Sequence, residues 1–373
     1  MNEQTFQIAV IRGDGIGVDV TDAALAVIEA ARRRTGGFRL DERDLDAGAA
    51  YFKETGRDMA PGAEEACDAA DAILLGAIGL PSIRHPDGTE ISPHLRLRER
   101  YQLYAGVRPV KAYPNAPQRL ADPRAAGIDL VILRESTEGL FYTAAATGRA
   151  IVQTDQEVQD ILRITRPTTE KLCDFAFRLA ARRKARGGKG MVTCVDKANV
   201  FRSMAFFRKI FDERKAAFPD IRAGYNYVDA QALDLIRRPW DFDVLVMENM
   251  FGDILSDLAG GLVGGMGMAA CAEVGDGQAL FQPAHGSAPD IMGQDRANPL
   301  AAILSGALML DYLADKAGGP NGSHEAGAAE AAGLIGRAVD KGFAANRLRP
   351  MEFGGDMGTK AVAREVIALI GEV

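Results

Sequence analysis

Two carboxylates four residues apart, Asp253 and Asp257, close the run Met247-Glu248-Asn249-Met250-Phe251-Gly252-Asp253-Ile254-Leu255-Ser256-Asp257. On a helix that spacing stacks both on one face, about one turn apart. Two carboxylates aimed at one spot repel each other unless a cation lies between them. Oxygen ligands of this kind suit a hard divalent ion, Mg2+ or Mn2+. The same spacing is common on solvated helix surfaces, so the pair alone decides nothing. Val244, Leu245, Val246 and Met247 run up to it as an unbroken apolar stretch, the pattern of a buried strand. The pair is therefore expected where a strand hands over to a helix.

Similar handovers recur along the chain. Gln7 to Ile11 reads as a buried strand, Gly13-Asp14-Gly15-Ile16-Gly17 as a turn, and Asp19 to Ala31 as a helix. A GxGxxG dinucleotide fingerprint begun at Gly13 would need glycine at Val18, so the match is incomplete. A tight strand-to-helix turn needs glycines for steric reasons anyway. Asp71 to Ala77 and Ile128 to Leu133 read as further strands, and Thr168 to Arg186 and Ser203 to Phe218 as amphipathic helices. Tyr227-Val228-Asp229 opens a helix to Arg237, and Ala297-Asn298-Pro299 leads into a long apolar helix. Gly79 to Ser92 and Gly318 to Ala326 read as surface loops, and two Ala-rich helices close the chain. Strands alternating with helices predict an α/β fold.

Composition narrows the function classes. The chain has 373 residues, 47% hydrophobic and 25% charged, an ordinary globular balance. That length fits two domains or one large α/β unit. A net charge of −7 argues against nucleic acid as the main partner. Cys67, Cys173, Cys194 and Cys271 form no C-x-x-C pair, which disfavours structural zinc and a disulfide framework. Reduced thiols in a cytoplasmic setting fit best. No segment has the pattern of a signal peptide or the length of a membrane span.

Four motifs occur in order: Asp196-Lys197-Ala198-Asn199, Tyr227-Val228-Asp229, Asn249 to Asp257, and His285-Gly286-Ser287-Ala288-Pro289-Asp290. Together they resemble the β-decarboxylating dehydrogenases, the family of isopropylmalate, isocitrate, homoisocitrate and tartrate/D-malate dehydrogenases. The similarity runs from the Gly13 turn to Gly354-Gly355-Asp356. The resemblance implies a two-domain isocitrate/isopropylmalate dehydrogenase-like α/β fold with an interdomain active-site cleft. One domain would comprise residues 1–105 and 264–373. The other would span 106–263 and carry a dimerisation arm at about 143–156. The resemblance also implies a homodimer whose sites borrow Lys197 and Asp229 from the second subunit, and a nucleotide held by the loop from His285 to Asn298 rather than by the Gly13 turn.

The reaction implied is NAD-dependent oxidation of a malate-type 2-hydroxy acid, then loss of its 3-carboxylate. Arg98, Arg108 and Arg134 match the arginines that hold the carboxylate. Guanidinium suits this role because its planar fork binds carboxylate bidentately and stays charged. Asp229, Asp253 and Asp257 match the Mg2+ or Mn2+ ligands, and Lys197, helped by Asp229, the general base. Asp290 matches the group that accepts the adenosine ribose hydroxyls and would repel a 2′-phosphate. Asn298 matches an adenine contact and Asn199 a contact near the nicotinamide. Retention of all these groups disfavours the alternative of a catalytically silent regulatory subunit.

The chain departs from the family pattern in three places. Phe141 stands where most members place a proton-donating tyrosine, so either the adjacent Tyr142 reaches in, or another donor or water takes the role, or the keto acid leaves before decarboxylation. Gln282 replaces a glutamate before the nucleotide loop. Ahead of Arg98, Ile91, Ser92 and His94 match neither the isopropylmalate nor the isocitrate pattern in full. Ser92 and His94 are therefore the candidate readers of the C3 substituent, with alkyl, hydroxyl and carboxylate substituents all open.

Overall fold

The computed structural model describes residues 4–143, 152–318 and 326–373. The strands are β1 (Gln4–Gly13), β2 (Phe38–Asp44), β3 (Ala72–Ala77), β4 (Ala105–Lys111), β5 (Asp129–Glu135), β6 (Val152–Gln153), β7 (Val158–Gln159), β8 (Met191–Asp196), β9 (Arg222–Tyr227), β10 (Val244–Met247), β11 (Ala270–Val274) and β12 (Ala279–Pro283). The helices are α1 (Gly17–Thr35), α2 (Ala49–Thr55), α3 (Ala63–Ala69), α4 (Pro93–Arg100), α5 (Arg166–Ala185), α6 (Arg202–Lys215), α7 (Val228–Arg237), α8 (Asn249–Leu262), α9 (Leu300–Gly318), α10 (Ala326–Ala344) and α11 (Thr359–Ile370).

One ten-stranded sheet runs in the order β2-β1-β3-β12-β11-β4-β5-β10-β8-β9. It has two parallel wings, β2-β1-β3-β12 and β5-β10-β8-β9. The middle is antiparallel: β11 pairs that way with β12 and β4, and β4 with β5. Every residue of β3 and β10 is buried, as expected for wing strands covered on both faces by helices. α1, α9, α10 and α11 pack on one another beside the first wing, and α5 and α6 beside the second. The α/β expectation holds. The strands read at Gln7, Asp71, Ile128 and Val244 and the helices read from Asp19 onward are all present, with ends shifted by a few residues.

The glycine turn after β1 is filled by its own aspartate. The buried Asp14 carboxylate accepts hydrogen bonds from the amides of Ala49 (2.8 Å), Ala50 (2.8 Å) and Gly79 (2.7 Å). Gly15 has φ +56°, and a Cβ there would lie 2.0 Å from the Ser287 carbonyl oxygen. The turn is thus a support for the loop around Ser287. The expected arm lies mostly outside the described residues. Of its described part, Val152–Gln153 pairs antiparallel with Val158–Gln159. The loop expected between Gly318 and Ala326 also lies outside them, except at its ends. Among the described residues no helix is long and apolar enough to cross a membrane.

Candidate active site

The site is built on one face of α8. Glu248 caps the helix: its carboxylate accepts from the amides of Phe251 (2.7 Å) and Met250 (3.1 Å), which satisfies donors a helix start leaves open. Asn249, Gly252, Asp253 and Ser256 then fall at helical spacing on one side. Asn249 Oδ1 accepts from Nε (2.9 Å) and Nη2 (2.7 Å) of Arg134, at the end of β5. Asp253 pairs with Nη1 of the same guanidinium. A Cβ on Gly252 would lie 2.6 Å from Arg134 Cβ, so only glycine lets the helix come this close. Ser256 Oγ accepts from Arg108 at 2.6 Å, and Arg108 Nη1 lies 3.7 Å from both Asp253 and Asp257.

Arg98, Arg108 and Arg134 come together although they arise from α4, β4 and β5. They are 6%, 6% and 2% exposed. Burial, reinforced by Arg108 and Arg98, pulls the Arg134 pKa down to about 10. Glu273 of β11, fully buried, pairs with Arg98 at 2.9 Å, while Arg108 and Arg134 are held by Ser256, Asn249 and Asp253. Burial pushes the Glu273 carboxyl up, but Arg98, Arg108 and Arg134 outweigh it and hold it below the ordinary value. His94 is half-buried on α4, and its Nδ1 has no hydrogen-bond partner. Burial and then Arg98 push its pKa down to about 3, so the ring is neutral near pH 7. Ser92 is half-buried at the start of the same helix.

Asp253 and Asp257 share an exposed edge, with side chains 42% and 60% accessible. Burial raises the Asp257 carboxyl, and Asp253 adds to the rise while Arg108 opposes it. Carboxylate crowding of this kind is what a divalent cation relieves, so the donor set fits a metal. Among the described residues no third acidic, histidine or cysteine ligand joins them within one chain. Asp229, the remaining expected ligand, sits in the first turn of α7 and pairs with Lys197. Lys197 follows β8 in a turn fixed by buried Asp196, which accepts from the Ala198 amide (2.8 Å) and from two nitrogens of Arg208 (2.7 and 2.8 Å). Asn199 is exposed just beyond.

A cavity of about 490 Å³ links the carboxylate edge to the expected nucleotide loop. Its walls include Asp257, His285, Gly286, Ala288 and Asn298. His285 Nε2 is buried without a partner, and burial lowers the ring's pKa. Asn298 donates to Glu352 at 2.9 Å. Ser287 is buried and donates to the Gly79 carbonyl. Ala288, at φ +35°, turns the chain into a short 3-10 segment in which Pro289 and Asp290 are exposed. Phe141 stacks on Arg134 at 5.0 Å, whereas the Tyr142 ring packs against Arg163 at 4.4 Å.

The family model described as isocitrate/isopropylmalate dehydrogenase matches residues 7–367. The chain belongs to this family. It is 39% identical over 372 residues to the 3-isopropylmalate/3-methylmalate dehydrogenase of Methanocaldococcus jannaschii, covering 98% of this chain and 99% of the relative. It is 36% identical to the homoisocitrate dehydrogenase of the same organism, covering 98% of each. Among solved structures, the isocitrate dehydrogenase from Methylococcus capsulatus superposes with a TM-score of 0.81 at 32% identity, over 98% of this chain and 99% of that one. A β-decarboxylating dehydrogenase from Thermococcus kodakarensis gives 0.76 at 36% identity, over 98% and 96%. Family membership makes the chain a decarboxylating hydroxy-acid dehydrogenase, and the relatives' differing names leave its substrate open.

The sequence reading did not include Glu273, Asn249 or Ser256 in the site. Asn249 and Ser256 stand four residues before and three after Asp253, so the helical face already marked them. For Glu273 the signal was a lone charge in an apolar run, Ala270-Cys271-Ala272-Glu273-Val274.

Proposed function

We propose that this dehydrogenase oxidises a malate-type 2-hydroxy acid with NAD and a divalent metal, then releases the 3-carboxylate as CO2. The observation that carries the reading is the single cavity shared by Asp257 and the loop from His285 to Asn298. It borders the helix face that also holds Arg108 and Arg134.

In this reading Arg98, Arg108 and Arg134 bind the 3-carboxylate, with Ser92 and His94 near its C3 substituent. Asp253, Asp257 and a second subunit's Asp229 hold Mg2+ or Mn2+. When bound, that ion would acidify the substrate hydroxyl and act as a Lewis acid on the resulting keto oxygen. Lys197 takes the hydroxyl proton, assisted by Asp229. The hydrogen bond from Lys197 already holds the Asp229 carboxyl below its ordinary value. Tyr142 is the candidate donor to the enolate carbon. Gly286, Ser287, Ala288 and Pro289 shape the nucleotide loop. Asp290 takes the ribose hydroxyls, Asn298 the adenine, and Asn199 approaches the nicotinamide.

The two domains comprise residues 1–105 with 264–373, and 106–263, the division falling between β11 and β4. The assembly is a homodimer. Asp229, Leu233 and Ile236 follow helical spacing along α7, and Leu233 (53%), Ile236 (45%) and Ile254 of α8 (59%) are exposed. An apolar patch beside an incomplete metal site favours a second copy over solvent. All four cysteines are free and buried, which suits the reducing cytoplasm.

The test is NADH formation with Mg2+ or Mn2+ across D-malate, tartrate, isopropylmalate, isocitrate and homoisocitrate, with CO2 followed in parallel. NADH with matching CO2 on one of them is expected. NADH without CO2 would leave a dehydrogenase that stalls at the keto acid. Preference for NADP would overturn the role of Asp290, and undiminished CO2 release in Tyr142→Phe would remove Tyr142 as donor.

A further inference from the structure

Glu273 is an unusual neighbour for three arginines meant to bind an anion. It lies on β11 directly opposite Gly106 of β4. Opposed residues of an antiparallel pair project to the same face. A Cβ at position 106 would stand 2.9 Å from Glu273 Oε2 and 2.6 Å from Ser136 Oγ. Glycine at 106 is therefore what makes room for the carboxylate. Glu273 Oε1 holds Arg98 Nη2 at 2.9 Å and accepts from Cys271 Sγ at 3.6 Å, while Oε2 is buried beside the Ser136 hydroxyl, which helps hold the carboxyl below its ordinary value. The Arg98 and Arg108 Nε atoms are buried without partners. A buried charge without full hydrogen bonding is costly, so a carboxylate here needs a role beyond packing.

The charges around it suggest that role. Asp253 and Asp257 face Arg108 from the metal side, where the proposed divalent ion would offset them. Glu273 faces the arginines from the buried strand β11; Ser136 and Cys271 lie against it, but the only charges that offset its own are those of the arginines. Its charge removes one of their three. His94, the candidate reader of the C3 substituent, lies near Arg98 and carries no charge near pH 7.

We propose that Glu273 is a positioning residue that sets substrate charge: it fixes Arg98 and cancels one positive charge of the cluster, fitting the pocket to a dicarboxylate and against a substrate with a third carboxylate. This rests on the reading of the arginines as the carboxylate site. It narrows the substrate to malates whose C3 substituent is uncharged, alkyl or hydroxyl. Because Glu273 is fully buried, it acts through Arg98 and through its field rather than by direct contact.

The test uses the full-length protein with Mg2+ and no NAD, so that nothing turns over. Calorimetry compares D-malate, with two carboxylates, and isocitrate, with three. Wild type is expected to bind D-malate at least as tightly as isocitrate. Glu273→Gln keeps the shape and removes the charge, and should shift the affinity ratio about tenfold toward isocitrate, the scale of one unit charge a few ångströms away in a partly screened site. Glu273→Asp keeps the charge and should keep the wild-type ratio. An unchanged ratio in a Glu273→Gln variant that is folded by circular dichroism overturns the proposal alone. Wild-type protein that binds isocitrate tenfold tighter than D-malate overturns it even if Glu273→Gln does not fold. Wild-type protein that binds neither acid would sink the arginine reading and this proposal together.

Discussion

The arginine end of the site and the lysine end are built in opposite ways. Arg98, Arg108 and Arg134 are almost fully buried and paired with Glu273, Ser256, Asn249 and Asp253. Lys197 and Asp229 are 24% and 68% accessible, pair with each other, and stand beside exposed Leu233 and Ile236. One end is finished within a single fold. The other presents its chemistry outward beside an apolar stripe. In the first, function and stability draw on the same contacts; in the second they are separable.

The largest effect should expose that separation. Lys197→Met is expected to lower kcat by about 10²–10⁴, the range for losing a general base, while stability stays within roughly 0.5 kcal/mol of wild type. Arg98→Met should lower kcat/KM as severely and also destabilise the fold by about 3–5 kcal/mol, because it strands buried Glu273. Urea unfolding run beside the kinetics checks both. Equal stability in the two variants would break the comparison.

A smaller effect should come from the apolar stripe. Leu233→Asp with Ile236→Asp is expected to split the proposed dimer by light scattering and reduce NADH formation tenfold or more. Activity should partly recover as protein concentration rises, because the missing groups are supplied by mass action. Unchanged activity in a demonstrated monomer would mean that each chain completes its own site. Next in size, Asp257→Asn removes one of the proposed acidic ligands on α8 and should raise the Mn2+ concentration for half-maximal activity about tenfold, since ligand charge sets such affinities. Its melting temperature without metal should not fall, because burial already disfavours the ionised Asp257.

The same contrast explains what could be read from the chain in advance. β3 and β10 were legible because both are continuous apolar runs. Asp253 and Asp257 were legible because a helix keeps their spacing. β2 was not, since along Phe38–Asp44 only Phe38 is buried, Leu40 is half-buried, and the rest is charged and exposed at the sheet edge. β11 was missed because Glu273 interrupts its apolar pattern. What makes that carboxylate acceptable inside a strand is three arginines that lie far away in sequence. The finished end thus hides its logic in long-range contacts, while the outward end shows its own in short motifs such as Asp196-Lys197-Ala198-Asn199 and Tyr227-Val228-Asp229.

The smallest effect concerns acid stability. His94 has its pKa pushed from 6.5 to about 3 by burial and Arg98. As pH falls through about 6.5 the unfolded chain takes up a proton that the folded ring refuses. The stabilising share of His94 is therefore full above that pH and lost progressively toward about 3. Glu135, which follows Arg134, has the opposite sign. Burial lifts its pKa from 4.5 to about 7, so its contribution is full below about 4.5 and falls as pH rises toward 7. Between pH 7 and 5, His94→Gln should lose less melting temperature than wild type, and Glu135→Gln should lose more, each by up to one proton's worth of pH dependence. Lys197→Met should follow the wild-type curve, because its group lies at the outward end. A His94→Gln curve that parallels wild type would mean the folded ring does take up a proton beside Arg98. The arginine end would then be wetter than its burial implies.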